Sequence, residues 1–228
     1  MSLNSKDKKS TSPEKEEQYK IIPIGSFCGI VMQLKRLELR KDAYPFDWMT
    51  CDLTMICDNI EENFKDFFDV TPIYNKDALP HKFWYVYNKY PNMCFGFPHH
   101  DMSKQETKET FLRRINKWKT ILSTSTEKIW FAHETFYLNM DVIKRFINII
   151  QKYYPKLKFH LIFIQEFTDD QINDQKEEYV EEFDKQELFT IYKIHMKTLE
   201  QAIYNSSNKF YDIIFKQFLN GREINPII

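Results

Sequence analysis

The chain has 228 residues, enough to bury one substantial hydrophobic core, and its 32 basic and 33 acidic side chains nearly cancel. A balanced charge gives no general attraction to nucleic acid or to an anionic membrane surface, which argues against polyanion binding as its function. No apolar run reaches the roughly 18 residues that span a bilayer, and Met1–Lys20 lacks the apolar core of a signal peptide. We therefore expect a cytoplasmic protein with no membrane or nucleic-acid partner.

Residues 1–19 are rich in Ser, Lys and Glu and have little to bury, so we expect a disordered tail followed by a single domain over residues 20–228. The four cysteines, Cys28, Cys51, Cys57 and Cys94, follow no CxxC spacing, which predicts reduced thiols. We expect Cys51 and Cys57 to pack in or near the core. The sequence indicates no metal, no cofactor and no particular oligomeric state.

The first elements of the domain are a strand, a turn and a helix. Ile21–Ile24 is apolar throughout, Gly25 permits a turn, and apolar residues recur at helical spacing over Gly29–Leu39. This order delivers Cys28 to a helix N-terminus, where unpaired N–H groups and the helix dipole favour a reactive thiolate. A buried, unreactive cysteine is the alternative interpretation.

The middle of the chain predicts two helices and a hairpin. Leu53–Phe68 has a helical apolar stripe, with Asp52 as its N-cap. The aromatic runs Phe83–Tyr87 and Met93–Phe97 predict an antiparallel hairpin. Ser103 is expected to cap the next helix, in a capping box with the glutamate three residues later.

In the second half of the chain, apolar strands alternate with helices. The predicted strands are Ile129–Ala132, Phe159–Ile164 and Phe189–Ile194. The predicted helices are Met140–Tyr153, Asp170–Phe183 and Asn208–Leu219. This alternation predicts an α/β three-layer sandwich with a mostly parallel central sheet, to which the antiparallel hairpin is added.

Several polar side chains come directly after predicted strands. In a parallel sheet these positions share one crevice, so some of the side chains are expected to be neighbours. The candidates are Cys28, His133, Glu134, Gln165, Glu166 and His195.

His99 and His100 lie on a short loop between the hairpin and the next helix. An imidazole there could activate Cys28 by taking its proton and later protonating the leaving group. The alternative is that the two histidines only satisfy backbone groups of the loop.

Tyr44-Pro-Phe-Asp-Trp48 sets two aromatic residues around an acidic one, after a proline that prevents a helix. Phe46 and Trp48 are expected to anchor this turn in the core. Asp47 could cap local backbone groups, orient a histidine or hold a substrate amine. Arg113 and Arg114, on the helix predicted after the histidine loop, could bind an anion. Adjacent residues of a helix point in different directions, so at least one of the two is expected to face solvent.

The runs Ile24-Gly-Ser-Phe-Cys28, Gln33-Leu-Lys-Arg-Leu37 and Tyr44-Pro-Phe-Asp-Trp48 resemble the opening signature of an uncharacterised family described as "putative papain-like cysteine peptidases". Phe97-Pro-His-His-Asp101 and Phe111-Leu-Arg-Arg114 are similar to later motifs of that family. The resemblance covers Ile21–Trp118. It implies a nucleophile at Cys28 and a base at His100 or His99, with a papain-like α+β architecture as the alternative fold.

Other site residues follow from position. Glu134, at a strand end, is the first candidate to orient the imidazole, and Asp47 is the second. Ser26, Trp48, Arg113 and Arg114 are the candidate substrate contacts.

Three functions are compatible with these features. The first is a cysteine hydrolase of peptide, isopeptide or amide bonds, for which a peptide or amide substrate is expected. The second is a Rossmann-like transferase or nucleotide-sugar-binding protein, although no glycine-rich phosphate loop is present. The third is a noncatalytic interaction module, which would be favoured if Cys28 were fully buried and more than about 8 Å from every histidine.

Overall fold

The computed structural model describes residues 19–25, 28–74, 83–91, 96–168, 178–196 and 208–219. The strands are β1 (Tyr19–Pro23), β2 (Val70–Tyr74), β3 (Phe83–Tyr87), β4 (Gly96–Phe97), β5 (Lys128–Thr135), β6 (Phe159–Thr168), β7 (Tyr179–Lys185) and β8 (Phe189–Met196). The helices are α1 (Cys28–Arg36), α2 (Leu53–Glu61), α3 (Gln105–Thr124), α4 (Met140–Tyr153) and α5 (Asn208–Phe215), and a 3₁₀ turn follows at Lys216–Phe218. None of the helices in these ranges is both long and apolar enough to cross a bilayer.

The main sheet has five strands in the order β1-β5-β6-β8-β7. The first four strands run parallel, and β7 pairs antiparallel with β8. This arrangement confirms the predicted mostly parallel α/β sheet, the first of the two architectures considered.

Alternate residues of the main sheet pack on opposite faces, each against its own helices. Ile129 and Phe131 belong to a large core that includes side chains of α2, α3 and α4. Ala132 and Ile162 belong to a second core with side chains of α1 and α5. The sheet is therefore the middle of three layers, and it separates two apolar cores.

A smaller antiparallel sheet, in the order β2-β3-β4, leads the chain to the histidine loop. It confirms the predicted hairpin for the described residues, while residues 92–95 of that hairpin lie outside them. Gly96 pairs with Thr50 across an isolated bridge, and a Cβ on Gly96 would lie 1.8 Å from the carbonyl oxygen of Tyr85. Close backbone packing therefore requires a glycine as the first residue of β4, the strand that leads to His99.

Of the two predicted helix N-caps, one is confirmed and one is wrong. Asp52 does cap α2, accepting the N–H of Met55 at 2.8 Å. Ser103 does not cap α3, because its hydroxyl donates to Asp101 at 2.6 Å and the helix begins after Lys104. A local side-chain bond has replaced the capping box.

Two predicted helix extents were also wrong. The helix predicted over Leu53–Phe68 ends at Glu61, since Asn63 and Phe64 adopt φ values of 54° and 63°, which no α-helix accommodates. The helix predicted over Asp170–Phe183 is contradicted at its C-terminal end by strand β7, while residues 169–177 lie outside the described ranges. Pairing with β8 outweighs the helix propensity of that acidic segment.

Strand β2 was not predicted. It lies at the edge of the small sheet, and four of its five residues are exposed, so it lacks the apolar alternation that reveals a strand in the sequence. At the N-terminal end of the domain, Tyr19 belongs to β1, although it was predicted as the last residue of the tail. Residues 1–18 lie outside the described ranges.

Candidate active site

The turn after β1 places Cys28 at the start of α1. The N–H of Ile24 extends the β1 pairing by donating to the carbonyl oxygen of Ala132 at 2.9 Å. Gly25 then turns the chain with φ 65°, and a Cβ there would lie 2.0 Å from Sγ of Cys51. Glycine is required at this turn both by its left-handed backbone and by the buried thiol packed against it.

Cys28 and His99 meet directly. Sγ of Cys28 lies 2.8 Å from Nε2 of His99; the thiol is half-buried and the imidazole is exposed. The ring of His100 instead packs edge-on against Phe111, with ring centroids 4.9 Å apart. Of the two histidines named by the sequence, His99 is the one that faces the thiol.

The thiol is protonated at rest. Burial, followed by the negative charge of Glu134, raises the pKa of Cys28 to about 11, which outweighs the opposing effect of a backbone hydrogen bond. A thiol with this pKa needs a base when it attacks. The contact with His99 is therefore a better means of activating Cys28 than the helix dipole.

Trp48 borders the same imidazole. Its ring lies edge-on to that of His99, at 6.0 Å between centroids and 86° between planes. Trp48 has φ 62°, an uncommon backbone conformation for a large side chain, so its orientation must be enforced by the surrounding turn.

Asp47 supplies that constraint. It is fully buried and accepts hydrogen bonds from Arg40, at 2.5 Å from Nη2 and 3.1 Å from Nε, and from the N–H of Tyr44 at 3.2 Å. Burial raises the pKa of Asp47, while Arg40 opposes the rise. These contacts match local capping, the first of its three predicted uses. Phe46 is fully buried, as expected, whereas Trp48 is half-buried beside His99.

The other candidate substrate contacts are placed less directly. Arg113 is exposed and donates to Oγ1 of Thr110 at 2.8 Å, in agreement with the solvent-facing interpretation. Arg114 is half-buried over the ring of Phe111, at 4.9 Å from its centroid. Ser26 lies outside the described residues.

Glu134 lies against the first turn of α1. A Cβ on Gly29 would come within 2.6 Å of both carboxyl oxygens, so the carboxyl group occupies the space that a side chain would need. Burial raises its pKa to about 7, against hydrogen bonds from Tyr211, from the N–H of Ile30 and from Glu166. Glu134 therefore supports the helix that carries Cys28, a different position from the predicted contact with the imidazole.

The remaining strand-end residues have structural partners. Nδ1 of His133 lies 2.6 Å from the carbonyl oxygen of Ile24, and burial lowers its pKa to about 4. Gln165 donates to the carbonyl oxygen of Phe136 at 3.2 Å, and His195 lies 3.3 Å from Glu181. In the ranges that the structure describes, no group of three or more His, Cys, Asp and Glu side chains is arranged to hold a metal ion.

Comparison with known proteins places this site in a family. The model of the family described as "Putative papain-like cysteine peptidase (DUF1796)" matches residues 19–169, well over half of the chain. The chain belongs to this family. It is also 29% identical over 156 residues to an uncharacterised protein of Acanthamoeba polyphaga mimivirus, an alignment that covers 57% of this chain and 69% of that protein. No solved structure matches the chain.

The region shared with the papain-like peptidase family contains Cys28, His99 and both buried glutamates, Glu134 and Glu166. Tyr211, whose hydroxyl donates to Glu166, lies on α5 beyond the matched region. The two glutamates were identified as candidates from the sequence because they come directly after predicted strands. No sequence signal pointed to Tyr211, because a tyrosine in an apolar helical stripe is indistinguishable from a core residue until the sheet is assembled.

Proposed function

We propose that this protein is a cysteine hydrolase of peptide, isopeptide or amide bonds, with Cys28 as nucleophile and His99 as general base and acid. The observation that carries the proposal is the 2.8 Å separation of Sγ and Nε2. Membership of a papain-like peptidase family supports the same class of reaction. The separation also gives no support to the interaction-module alternative, which would have been favoured by a fully buried Cys28 far from every histidine.

In the first half-reaction, sulfur attacks the carbonyl carbon of the substrate while Nε2 of His99 accepts the thiol proton. A C–S bond forms, and the carbonyl π electrons move to oxygen. The N–H groups of Cys28 and Gly29 at the start of α1 have no intrahelical acceptor, so they are suitable donors to this oxyanion, whereas the N–H of Ile30 is bound by Glu134. The C–N bond then breaks as the imidazolium of His99 protonates the leaving amine.

In the second half-reaction, water hydrolyses the thioester. His99 accepts a proton from the attacking water as a C–O bond forms. The C–S bond then breaks as His99 returns this proton to sulfur, which releases a carboxylic acid and regenerates the Cys28 thiol. Trp48 borders His99 and is half-buried, which makes it the best supported of the proposed substrate contacts.

The proposal is tested by hydrolysis of a fluorogenic peptide and amide substrate panel. We expect Cys28→Ala to lower the rate of any substrate cleaved by at least about a thousandfold, the scale of loss when a nucleophile is removed. The buried Cys57 provides a matched comparison: Cys57→Ser removes a thiol from the core without touching the site, so a folded variant should keep its activity.

Thiol labelling gives a second readout. In native protein an alkylating reagent should modify Cys28 well before the buried Cys51 and Cys57, which become accessible on unfolding. Equal labelling of Cys28, Cys51 and Cys57, or full hydrolytic activity in Cys28→Ala, would rule out the proposed mechanism; Cys94 lies outside the described residues.

A further inference from the structure

Two buried carboxyl groups lie beneath the first turn of α1, where the proposed reaction does not use them. Glu134 on β5 and Glu166 on β6 are 4% and 2% exposed, and both point to the face of the sheet covered by α1 and α5. Tyr211 of α5 donates to Oε1 of Glu166 at 3.1 Å. Oε2 of Glu134 is buried with no hydrogen-bond partner among the residues that the structure describes.

Two carboxyl groups in contact inside a protein cannot both be ionised, because each charge opposes the other where water is absent. Burial and the charge of Glu134 hold the pKa of Glu166 well above its ordinary range, and burial brings the pKa of Glu134 to about 7. The pair therefore keeps one proton throughout the neutral range and releases a second near neutral pH.

We propose that Glu134 and Glu166 form a proton-sharing pair that positions the first turn of α1 and regulates how readily Cys28 loses its proton. Glu134 touches Gly29, the residue after the nucleophile, and interacts with the N–H of Ile30. Its negative charge thus occupies the helix N-terminus that would otherwise stabilise a thiolate at Cys28. This inference rests on the proposed function, and both glutamates are positioning residues because neither contacts the reacting atoms.

The other groups around the pair are few. Among the described residues, the titratable groups that interact with the pair are Cys28 from α1 and Tyr211 from α5, while Tyr19 of β1 and Tyr192 of β8 pack against the same apolar core. As the pH rises past neutrality, Glu134 ionises and makes the thiol harder to deprotonate. The reactivity of Cys28 should then increase with pH less steeply than that of a single independent thiol.

The test measures alkylation of Cys28 by iodoacetamide in the full-length protein, from about pH 6 to about pH 9, by mass spectrometry of the labelled peptide. Glu134→Gln removes the charge but keeps the side-chain shape, so its Cys28 should react faster at alkaline pH and follow a single titration. Each unit of fall in the thiol pKa raises the thiolate fraction tenfold and lowers its nucleophilicity about threefold, which leaves a gain of about threefold in rate. Glu187→Gln, on an exposed turn, is the control and should match the wild type.

A measurement on the wild type covers the case in which Glu134→Gln does not fold. Difference infrared spectra should show the carbonyl stretch of a protonated, buried carboxylic acid at neutral pH, and Glu166→Gln should lose it. Identical alkylation profiles for folded Glu134→Gln and wild type, or a wild-type spectrum without that band, would overturn the inference. Because both readouts are independent of hydrolysis, failure of Cys28→Ala to abolish activity would count against the proposed function alone.

Discussion

His99 and His100 are adjacent in the chain but belong to different environments. The imidazole of His99 is exposed beside the Cys28 thiol, whereas that of His100 packs against Phe111, a fully buried residue of α3. One side chain is thus available for proton transfer and the other helps to attach the loop to the core. We therefore expect His99 to contribute to the rate of the proposed reaction and His100 to the stability of the loop.

This difference predicts opposite phenotypes for two matched substitutions. His99→Ala should lower kcat by a factor of about 100 to 10,000, the usual contribution of a general base, with little effect on Tm. His100→Ala should lower Tm by removing packing against Phe111 while leaving a larger part of kcat. Steady-state kinetics and thermal unfolding of both variants check this, and equal kcat losses in the two would contradict the assignment of His99 as the base.

Residue identities were predictable from sequence to different extents. Cys28 and the histidine pair were identified because their types and their positions at element ends suit nucleophilic chemistry. The choice between His99 and His100 depends on which way a two-residue stretch of loop rotates, and that is set by packing on Phe111. The position of Glu134 under α1 depends on the close approach of a helix to a sheet, which no local pattern encodes.

Helix α1 is supported at its N-terminus by a carboxyl group packed where a side chain would otherwise stand. Gly29 lies in the first turn, and a Cβ there would overlap both oxygens of Glu134. Alanine normally stabilises a helix by about 1 kcal/mol relative to glycine. Here the overlap opposes that gain, because forcing atoms into a packed core costs about 1–3 kcal/mol.

A double-mutant cycle separates the two effects. Gly29→Ala should lower the free energy of unfolding by up to about 2 kcal/mol and displace Cys28 enough to reduce activity. In a Glu134→Ala background the overlap is gone, so adding Gly29→Ala should be neutral or stabilising by up to about 1 kcal/mol. Urea unfolding of the four proteins checks the cycle, and the same cost of Gly29→Ala in both backgrounds would show that Glu134 is not the obstacle.

At the level of elements, the sequence predicted the segments with strong periodicity. Helix α4 has the predicted bounds, Met140–Tyr153, because its apolar stripe and its Asn139 cap agree. Most of strand β7 was predicted as the end of a helix because its own sequence does not indicate a strand. It forms a strand because it pairs with β8 across a tight turn. Helix α2 was predicted too long because the left-handed residues that end it, Asn63 and Phe64, include an aromatic residue that gives no stop signal.

Two buried groups, Glu134 and His133, have opposite effects on how the stability of the whole molecule depends on pH. The pKa of Glu134 rises from 4.5 to about 7 on folding, so its contribution to stability is full below about pH 4.5 and is lost as the pH rises to about 7. The pKa of His133 falls from 6.5 to about 4 on folding, so its contribution is lost as the pH falls through that range. Each shift corresponds to about 3 kcal/mol, and the two slopes oppose each other between about pH 4.5 and pH 6.5.

In Glu134→Gln, the effect of His133 on the pH dependence of stability is no longer opposed by Glu134. The free energy of unfolding of the variant, relative to the wild type, should fall by about 1.4 kcal/mol for each unit by which the pH is lowered from about 7 to about 4.5, the interval over which Glu134 titrates. Distant carboxylates such as Asp58 contribute equally to both proteins, so the difference reports Glu134 together with its partner Glu166. Urea unfolding of both proteins at several pH values checks this, and parallel pH curves would contradict the proposed burial of a titrating Glu134.

The contact between Cys28 and His99 joins two sheets that are hydrogen-bonded separately. Cys28 follows β1 of the main sheet, while His99 follows β4, a strand of two residues in the small sheet. A local opening of β4 would carry the imidazole away from the thiol and leave the hydrogen bonds of the large sheet intact. Loss of function on heating would then report the fraying of one short strand, and a protein that still has most of its secondary structure could already be inactive.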